Sequence, residues 1–117
     1  MTMAVAGFEG ALADAPPDAD PLEVMGNAYI NVIRDSSRLR MQMQAYAACD
    51  DPDVRRVVQQ GFGRIVDTIQ RASGASPDRM AYFIGKGMLL NVMASMDVLD
   101  SDLPWARALK EGCMTRP

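Results

Sequence analysis

Apolar residues recur at helical spacing along most of the chain, most clearly between residues 51 and 73. There the apolar side chains share one face and the polar ones the other, as in an amphipathic helix. Asp51 is a suitable N-cap before Pro52, and Gly74 suits a left-handed C-cap, so both ends are marked. The apolar positions are Val54, Val57, Val58, Phe62, Ile65, Val66 and Ile69.

A second long helix is predicted over residues 76–98, because Ser76 is a suitable N-cap and Pro77 suits the first helical position, as Asp51 and Pro52 do in the first helix. The short connection predicts that the two helices lie antiparallel, so that residues 51–99 form one helix pair. Apolar residues cover most of the second helix, which implies contacts on more than one face. Either this helix is central in the domain or its outer face meets a partner. Gly85 and Gly87 would permit another backbone to approach closely.

The rest of the chain predicts shorter helices, and the whole predicts an all-α bundle of about five helices. The paired prolines within residues 15–20 predict a linker. Helices are predicted over residues 3–14, 21–34 and 37–49, with a short helix or turn over residues 103–112.

Two details of these shorter helices follow from single residues. Ser36 or Ser37 is the expected cap of the helix over residues 37–49. Trp105 and Leu109 are expected to dock the final segment on the bundle.

Composition narrows the functional class. The 12 Lys and Arg residues against 15 Asp and Glu give a net charge of −3, and no basic run stands out. Nucleic-acid binding by this segment alone is therefore not expected. No apolar stretch reaches the roughly 20 residues that span a bilayer, and the first residues show no basic region ahead of a hydrophobic run. We expect a cytoplasmic protein without a membrane partner.

Candidate catalytic and metal-binding chemistry is sparse. The chain contains no His, which removes the commonest general base and nitrogen metal ligand. Asp50, Asp51 and Asp53 are explained as helix-start acids, since no EF-hand loop with a closing Glu follows. Cys49 and Cys113 lack zinc spacing and are expected to be a small buried hydrophobe and a tail thiol. We predict that the chain is not an enzyme and uses no metal or cofactor.

Three segments in order resemble the C-terminal regulatory domain of tetracycline-repressor-like (TetR family) transcriptional regulators. They are RLRMQMQAYAACDDPDVRRVV, RASGASPDRM and FIGKGMLLNVMASM. The resemblance covers roughly residues 3 to 112 and implies a dimerisation and effector-binding domain over residues 21–112. Residues 1–14 would be the remainder of the helix linking it to a helix-turn-helix domain, and residues 113–117 a tail. DNA binding is then expected only of a longer polypeptide that carries that domain.

The resemblance implies a homodimer in which the helices over 51–73 and 76–98 pair with their mates in a four-helix interface. The interface residues predicted on this basis are Val58, Phe62, Ile65, Phe83, Gly87, Leu90 and Met93. A small apolar effector is expected inside the bundle. The predicted ligand-binding residues are Tyr29, Met43, Gln44, Tyr46, Phe62, Met88 and Asn91.

Two other interpretations stay open at this stage. A Met or an aromatic residue on a helical stripe often fills a core, so each predicted lining residue also fits a closed bundle. The chain would then be a stand-alone dimerisation or interaction module without a small-molecule ligand. An enzyme would need a catalytic constellation that the sequence does not contain.

Overall fold

The computed structural model describes residues 2–114, and within them the side chains of all but Thr2, Met3 and Ser36. This part of the chain is all-α, as predicted, and contains six helices where about five were expected. They are α1 (Thr2–Asp14), α2 (Pro21–Val32), α3 (Ser36–Ala47), α4 (Pro52–Ser73), α5 (Pro77–Ser95) and α6 (Pro104–Met114). Of the predicted tail, residues 115–117 lie outside the described residues. None of the helices in the described range combines the length and apolarity that a membrane crossing requires.

The ends of α4 confirm the sequence prediction. The Asp51 carboxylate accepts a hydrogen bond of 2.8 Å from the backbone N–H of Asp53, which satisfies one donor at the helix start. At the other end Gly74 has a φ of +61°, and its N–H donates to the carbonyl of Gln70 at 2.8 Å. This left-handed conformation is one that glycine adopts without steric cost, so the helix stops there.

The start of α3 differs from the prediction. Asp35 is the N-cap, and its carboxylate accepts a hydrogen bond from the backbone N–H of Arg38. The predicted cap at Ser36 or Ser37 is therefore wrong, because both serines lie within the helix. Asp and Ser are about equally favourable N-cap residues, so residue type alone does not show which of several adjacent residues caps the helix.

The first of two hydrophobic clusters joins α1 to the middle of the chain. Phe8 is 3% exposed and Met25 is fully buried. Gly7 lies where α1 meets α2, and a Cβ built on it would lie 2.8 Å from Cγ2 of Val32. The absence of a side chain at Gly7 therefore permits the close packing of α1 on α2. The cluster consists of Ala4, Phe8, Met25, Ile69, Ala75 and Met80.

The second cluster holds α3 against α5 and the end of α2. It consists of Ile33, Leu39, Leu90 and Ala94. Helix α6 packs beside it through Cys113, and Ala106 of the same helix is 1% exposed. Trp105 and Leu109, the expected docking residues, are 49% and 42% exposed. That expectation is wrong because the small side chains face inward and the large ones face solvent.

Three residues connect α4 to α5, one more than the predicted bounds leave between them, so the connection is short, as expected. The two helices share the first cluster near this connection, through Ile69, Ala75 and Met80. Farther along, Phe62 of α4 and Met88 of α5 line a common cavity. The helix pair therefore shares a hydrophobic cluster near the connection and lines a common cavity along its length.

Candidate functional site

A cavity of about 420 Å³ lies inside the bundle. Each of the first five helices contributes at least one aromatic side chain to its wall, and α6 contributes Cys113 and Met114. The aromatic residues are Phe8, Tyr29, Tyr46, Phe62, Tyr82 and Phe83, which are all the Phe and Tyr residues of the chain. The volume falls within the range of small-molecule sites.

The aromatic rings form two contacts around the cavity. The rings of Phe8 and Tyr29 lie 5.9 Å apart and tilted, and those of Tyr46 and Phe62 lie 6.2 Å apart, edge to face. Both distances lie in the favourable range for aromatic pairs. Gly87 also lines the cavity, and a Cβ added to it would lie 3.8 Å from the Tyr29 ring.

A buried polar pair forms part of the wall. The Tyr29 hydroxyl donates a hydrogen bond of 2.5 Å to Oδ1 of Asn91, which is 1% exposed. The amide Nδ2 of Asn91 donates in turn to the sulfur of Met88 at 3.4 Å. Burial raises the pKa of Tyr29 to about 12, against the opposing effect of the hydrogen bond with Asn91. The phenol therefore stays neutral throughout the physiological pH range.

A second polar contact lies on α3. Gln42 donates from Nε2 to the hydroxyl of Tyr46 at 2.9 Å, and both residues line the cavity. They are four residues apart, so they share one face of the helix.

Charged side chains also line the cavity, and each is at least partly exposed. The Lys86 ammonium lies 4.6 Å from the centre of the Tyr82 ring, a cation–π contact. Among the described residues, no charged side chain is buried. The charges therefore mark the mouth of the cavity, while its interior is neutral. The charged lining residues are Asp20, Glu23, Asp78, Arg79 and Lys86.

The structure brings together five of the seven predicted ligand-binding residues, namely Tyr29, Tyr46, Phe62, Met88 and Asn91. Met43 packs instead against the second hydrophobic cluster. Gln44 is exposed to solvent. The neighbouring Gln42 takes the polar position in the wall, because residues two apart on a helix point to different faces.

The predicted dimer-interface residues lie inside the chain. Val58, Leu90 and Met93 are 8%, 5% and 1% exposed. The other four, Phe62, Ile65, Phe83 and Gly87, line the cavity. Val58, Leu90 and Met93 therefore have little surface left for a partner, the other four are half-buried, and an interface role for these seven residues stays a prediction.

The outer face of α5 carries a stripe of exposed apolar side chains. We define the α5 stripe as Tyr82, Leu89, Val92 and Met96, with Gly85 in the same register. Its residues are spaced alternately by three and four, as in the contact face of a coiled coil. The four side chains are between 36% and 52% exposed.

Sequence reasoning missed part of the cavity wall. Phe8 was placed on a linking-helix remnant, and Cys113 was expected to be a tail thiol. Cys113 is in fact in the last turn of α6, half-buried against the second cluster, and this burial raises the pKa of its thiol. Residue type is the signal that could have found Phe8, because every Phe and Tyr residue of the chain lines the cavity.

The described residues contain no group of His, Cys, Asp and Glu side chains that would hold a metal ion. Comparison of the chain with protein-family models, with curated proteins and with solved structures gives no match. None of these comparisons tests the resemblance to TetR-family regulators, which stays a prediction from the sequence segments 38–58, 71–80 and 83–96.

Proposed function

We propose that this chain is the effector-binding and homodimerisation domain of a TetR-like transcriptional regulator. The observation that carries the proposal is the cavity of about 420 Å³, with apolar and aromatic walls and a buried Tyr29–Asn91 pair. An apolar cavity with a few polar groups is the usual form of a small-molecule site.

All six helices contribute residues to the wall that a ligand in this cavity would meet. Binding of the ligand favours whichever arrangement of the helices fits it best, and its differential affinity for the two arrangements limits the regulatory effect. In the proposed regulator the arrangement of the helices sets the spacing of two DNA-binding heads. DNA binding itself belongs to a longer polypeptide with a helix-turn-helix domain.

The α5 stripe supports the homodimer. A contiguous row of exposed apolar side chains often marks an interaction site, whereas single exposed apolar residues do not. The spacing of this row is that of a coiled-coil contact face. Gly85 lies within the stripe, and a Cβ built on it would meet no atom of the chain within 4 Å. Its bare backbone leaves room for a partner helix. The proposed interface is therefore the outer face of α5. We also propose that the protein acts in the cytoplasm.

The alternative function, an interaction module without a ligand, is favoured by the same α5 stripe. The two functions differ only in the use of the cavity. Binding of a plain apolar probe, 2-ethylnaphthalene, measured by isothermal titration calorimetry, separates them. The proposed function predicts saturable binding of one probe per chain, and an interaction module predicts none.

A matched pair of glycine variants makes this test specific. Gly87→Leu places a side chain in the cavity wall and should weaken 2-ethylnaphthalene binding at least about tenfold. Gly63→Leu adds the same side chain to an exposed part of α4, where a Cβ meets no atom within 4 Å, and should leave binding unchanged. Equal binding by the two variants would contradict the assignment of the ligand to this cavity.

A further inference from the structure

The Tyr29–Asn91 pair has hydrogen-bonding capacity that the protein uses poorly. A side-chain amide has two N–H donors, and one donor of Asn91 is directed at the sulfur of Met88, 3.4 Å away. A thioether is a weak acceptor. A ligand oxygen that replaces this sulfur would form a stronger hydrogen bond with an amide that is already buried and held in place by Tyr29.

The pair can donate a hydrogen bond to an acceptor on a ligand. The Tyr29 hydroxyl commits its only hydrogen to Oδ1 of Asn91, which occupies one acceptor site of the amide oxygen. The N–H groups of Asn91 are the donors that this pair can offer to a ligand. A carbonyl or ether oxygen fits them directly.

The charge of the ligand is limited by the interior. The cations that line the cavity, Arg79 and Lys86, are both at least partly exposed, and no charged side chain among the described residues is buried. A carboxylate placed against Asn91 would lose its hydration without gaining a buried counter-ion, which is unfavourable. An ammonium group there would likewise lack a buried carboxylate.

The walls favour a flat, aromatic body. Six aromatic side chains surround the cavity, and aromatic rings pair favourably edge to face or offset. We propose that the cavity selects neutral aromatic molecules with one hydrogen-bond acceptor, and that the acceptor binds the amide of Asn91. This inference rests on the proposed function and adds the chemical class of the effector.

Four naphthalene probes of similar shape test the proposal, each titrated by calorimetry into the full chain at neutral pH. They are 2-acetylnaphthalene, 2-ethylnaphthalene, 2-naphthoate and (2-naphthylmethyl)trimethylammonium. The ketone should bind about three- to tenfold more tightly than the hydrocarbon, the gain of one hydrogen bond. The carboxylate and the ammonium should each bind at least about tenfold more weakly than the ketone.

Variants of the wall assign the preference to Asn91. Asn91→Leu should reduce the affinity for the ketone to that for the hydrocarbon, while hydrocarbon binding and the circular dichroism spectrum show that the variant is folded. Met88→Leu removes the competing sulfur and should increase the ratio of ketone to hydrocarbon affinity. Thr68→Val is the control, because the Thr68 hydroxyl is buried but donates to Arg64 of its own helix, and Thr68 does not line the cavity.

The outcomes separate this inference from the proposed function. If none of the four probes binds, both fail. If the hydrocarbon binds as tightly as the ketone, or if either charged probe matches the ketone, the cavity is a ligand site but the inference about its selectivity is wrong. An unchanged ketone preference in Asn91→Leu would also overturn it.

Discussion

The hydroxyl of Tyr29 on α2 donates to the side-chain oxygen of Asn91 on α5 across a distance of 2.5 Å. The two residues are 62 positions apart in the sequence, and their hydrogen bond joins two helices at the wall of the cavity. It therefore does two things at once. It satisfies a buried amide, and it fixes the orientation of the polar group that a ligand would meet.

Loss of this hydrogen bond should destabilise the fold. Tyr29→Phe removes the donor and leaves the buried Asn91 oxygen without it, which should lower the free energy of unfolding by about 1 to 2 kcal/mol. A double-mutant cycle with Asn91→Leu, followed by urea unfolding, should give a coupling energy of about 1 kcal/mol. Tyr46→Phe is the control, because its partner Gln42 lies on the same helix only four residues away. Additive effects of Tyr29→Phe and Asn91→Leu would show that the contact adds no stability.

Stability should also fall in alkaline solution through Tyr29. Burial raises the pKa of this phenol to about 12, whereas an unfolded tyrosine ionises near about 10. Below the pKa of the unfolded state, Tyr29 is protonated in both states, and its contribution to the free energy of unfolding is fully present. Between about pH 10 and 12 the tyrosine loses its proton in the unfolded state first, which lowers the free energy of unfolding by up to about 1.4 kcal/mol for each pH unit. Urea unfolding across this range should therefore show a steeper decline in the wild type than in Tyr29→Phe. Equal slopes would contradict the assignment.

Much of the fold follows from local chemistry that is visible in the sequence. Asp51, Pro52 and Gly74 mark the bounds of α4 because capping depends on residues adjacent in the chain. The faces of the helices were harder to predict. Helix α5 is apolar around most of its circumference, so periodicity did not distinguish its inner residues, such as Met93, from its outer residues, such as Val92.

Only part of the candidate site was predicted, because the sequence does not show which face of each helix points inward. Tyr29, Tyr46 and Phe62 are large aromatic residues on predicted stripes, and they line the cavity. Phe8 also lines it, but it was assigned to a separate segment, since tertiary packing of α1 leaves no local pattern. Gln44 was predicted to line the cavity, but Gln42 does so instead, because the exact rotation of α3 decides which glutamine points inward.

Two glycines of α1 should respond in opposite directions to the same substitution. Gly10→Ala adds a Cβ that meets no atom within 4 Å, so it should stabilise the chain by up to about 1 kcal/mol through helix propensity alone. Gly7→Ala gains the same propensity but places a Cβ 2.8 Å from Cγ2 of Val32. Val is stiff about χ1, so relief requires a backbone shift, and a net loss of about 1 to 2 kcal/mol is expected. Thermal unfolding of both variants tests this. Stabilisation by Gly7→Ala would show that α1 does not pack closely on α2.

The proposed dimer should depend on the middle of the α5 stripe, around Val92, whereas Tyr82 of the stripe also lines the cavity. Val92→Asp places a charge in the middle of the stripe, where a partner helix would bury it without a counter-ion, so self-association should weaken by at least about a hundredfold. Light scattering after size-exclusion chromatography should give twice 12.7 kDa for the wild type and 12.7 kDa for the variant. Met41→Asp is the matched control, because Met41 is 72% exposed but lies on α3, outside the stripe. Val92 does not line the cavity, so the monomeric variant should still bind 2-ethylnaphthalene. A wild type that remains monomeric at all concentrations would contradict the proposed dimer while leaving the ligand site intact.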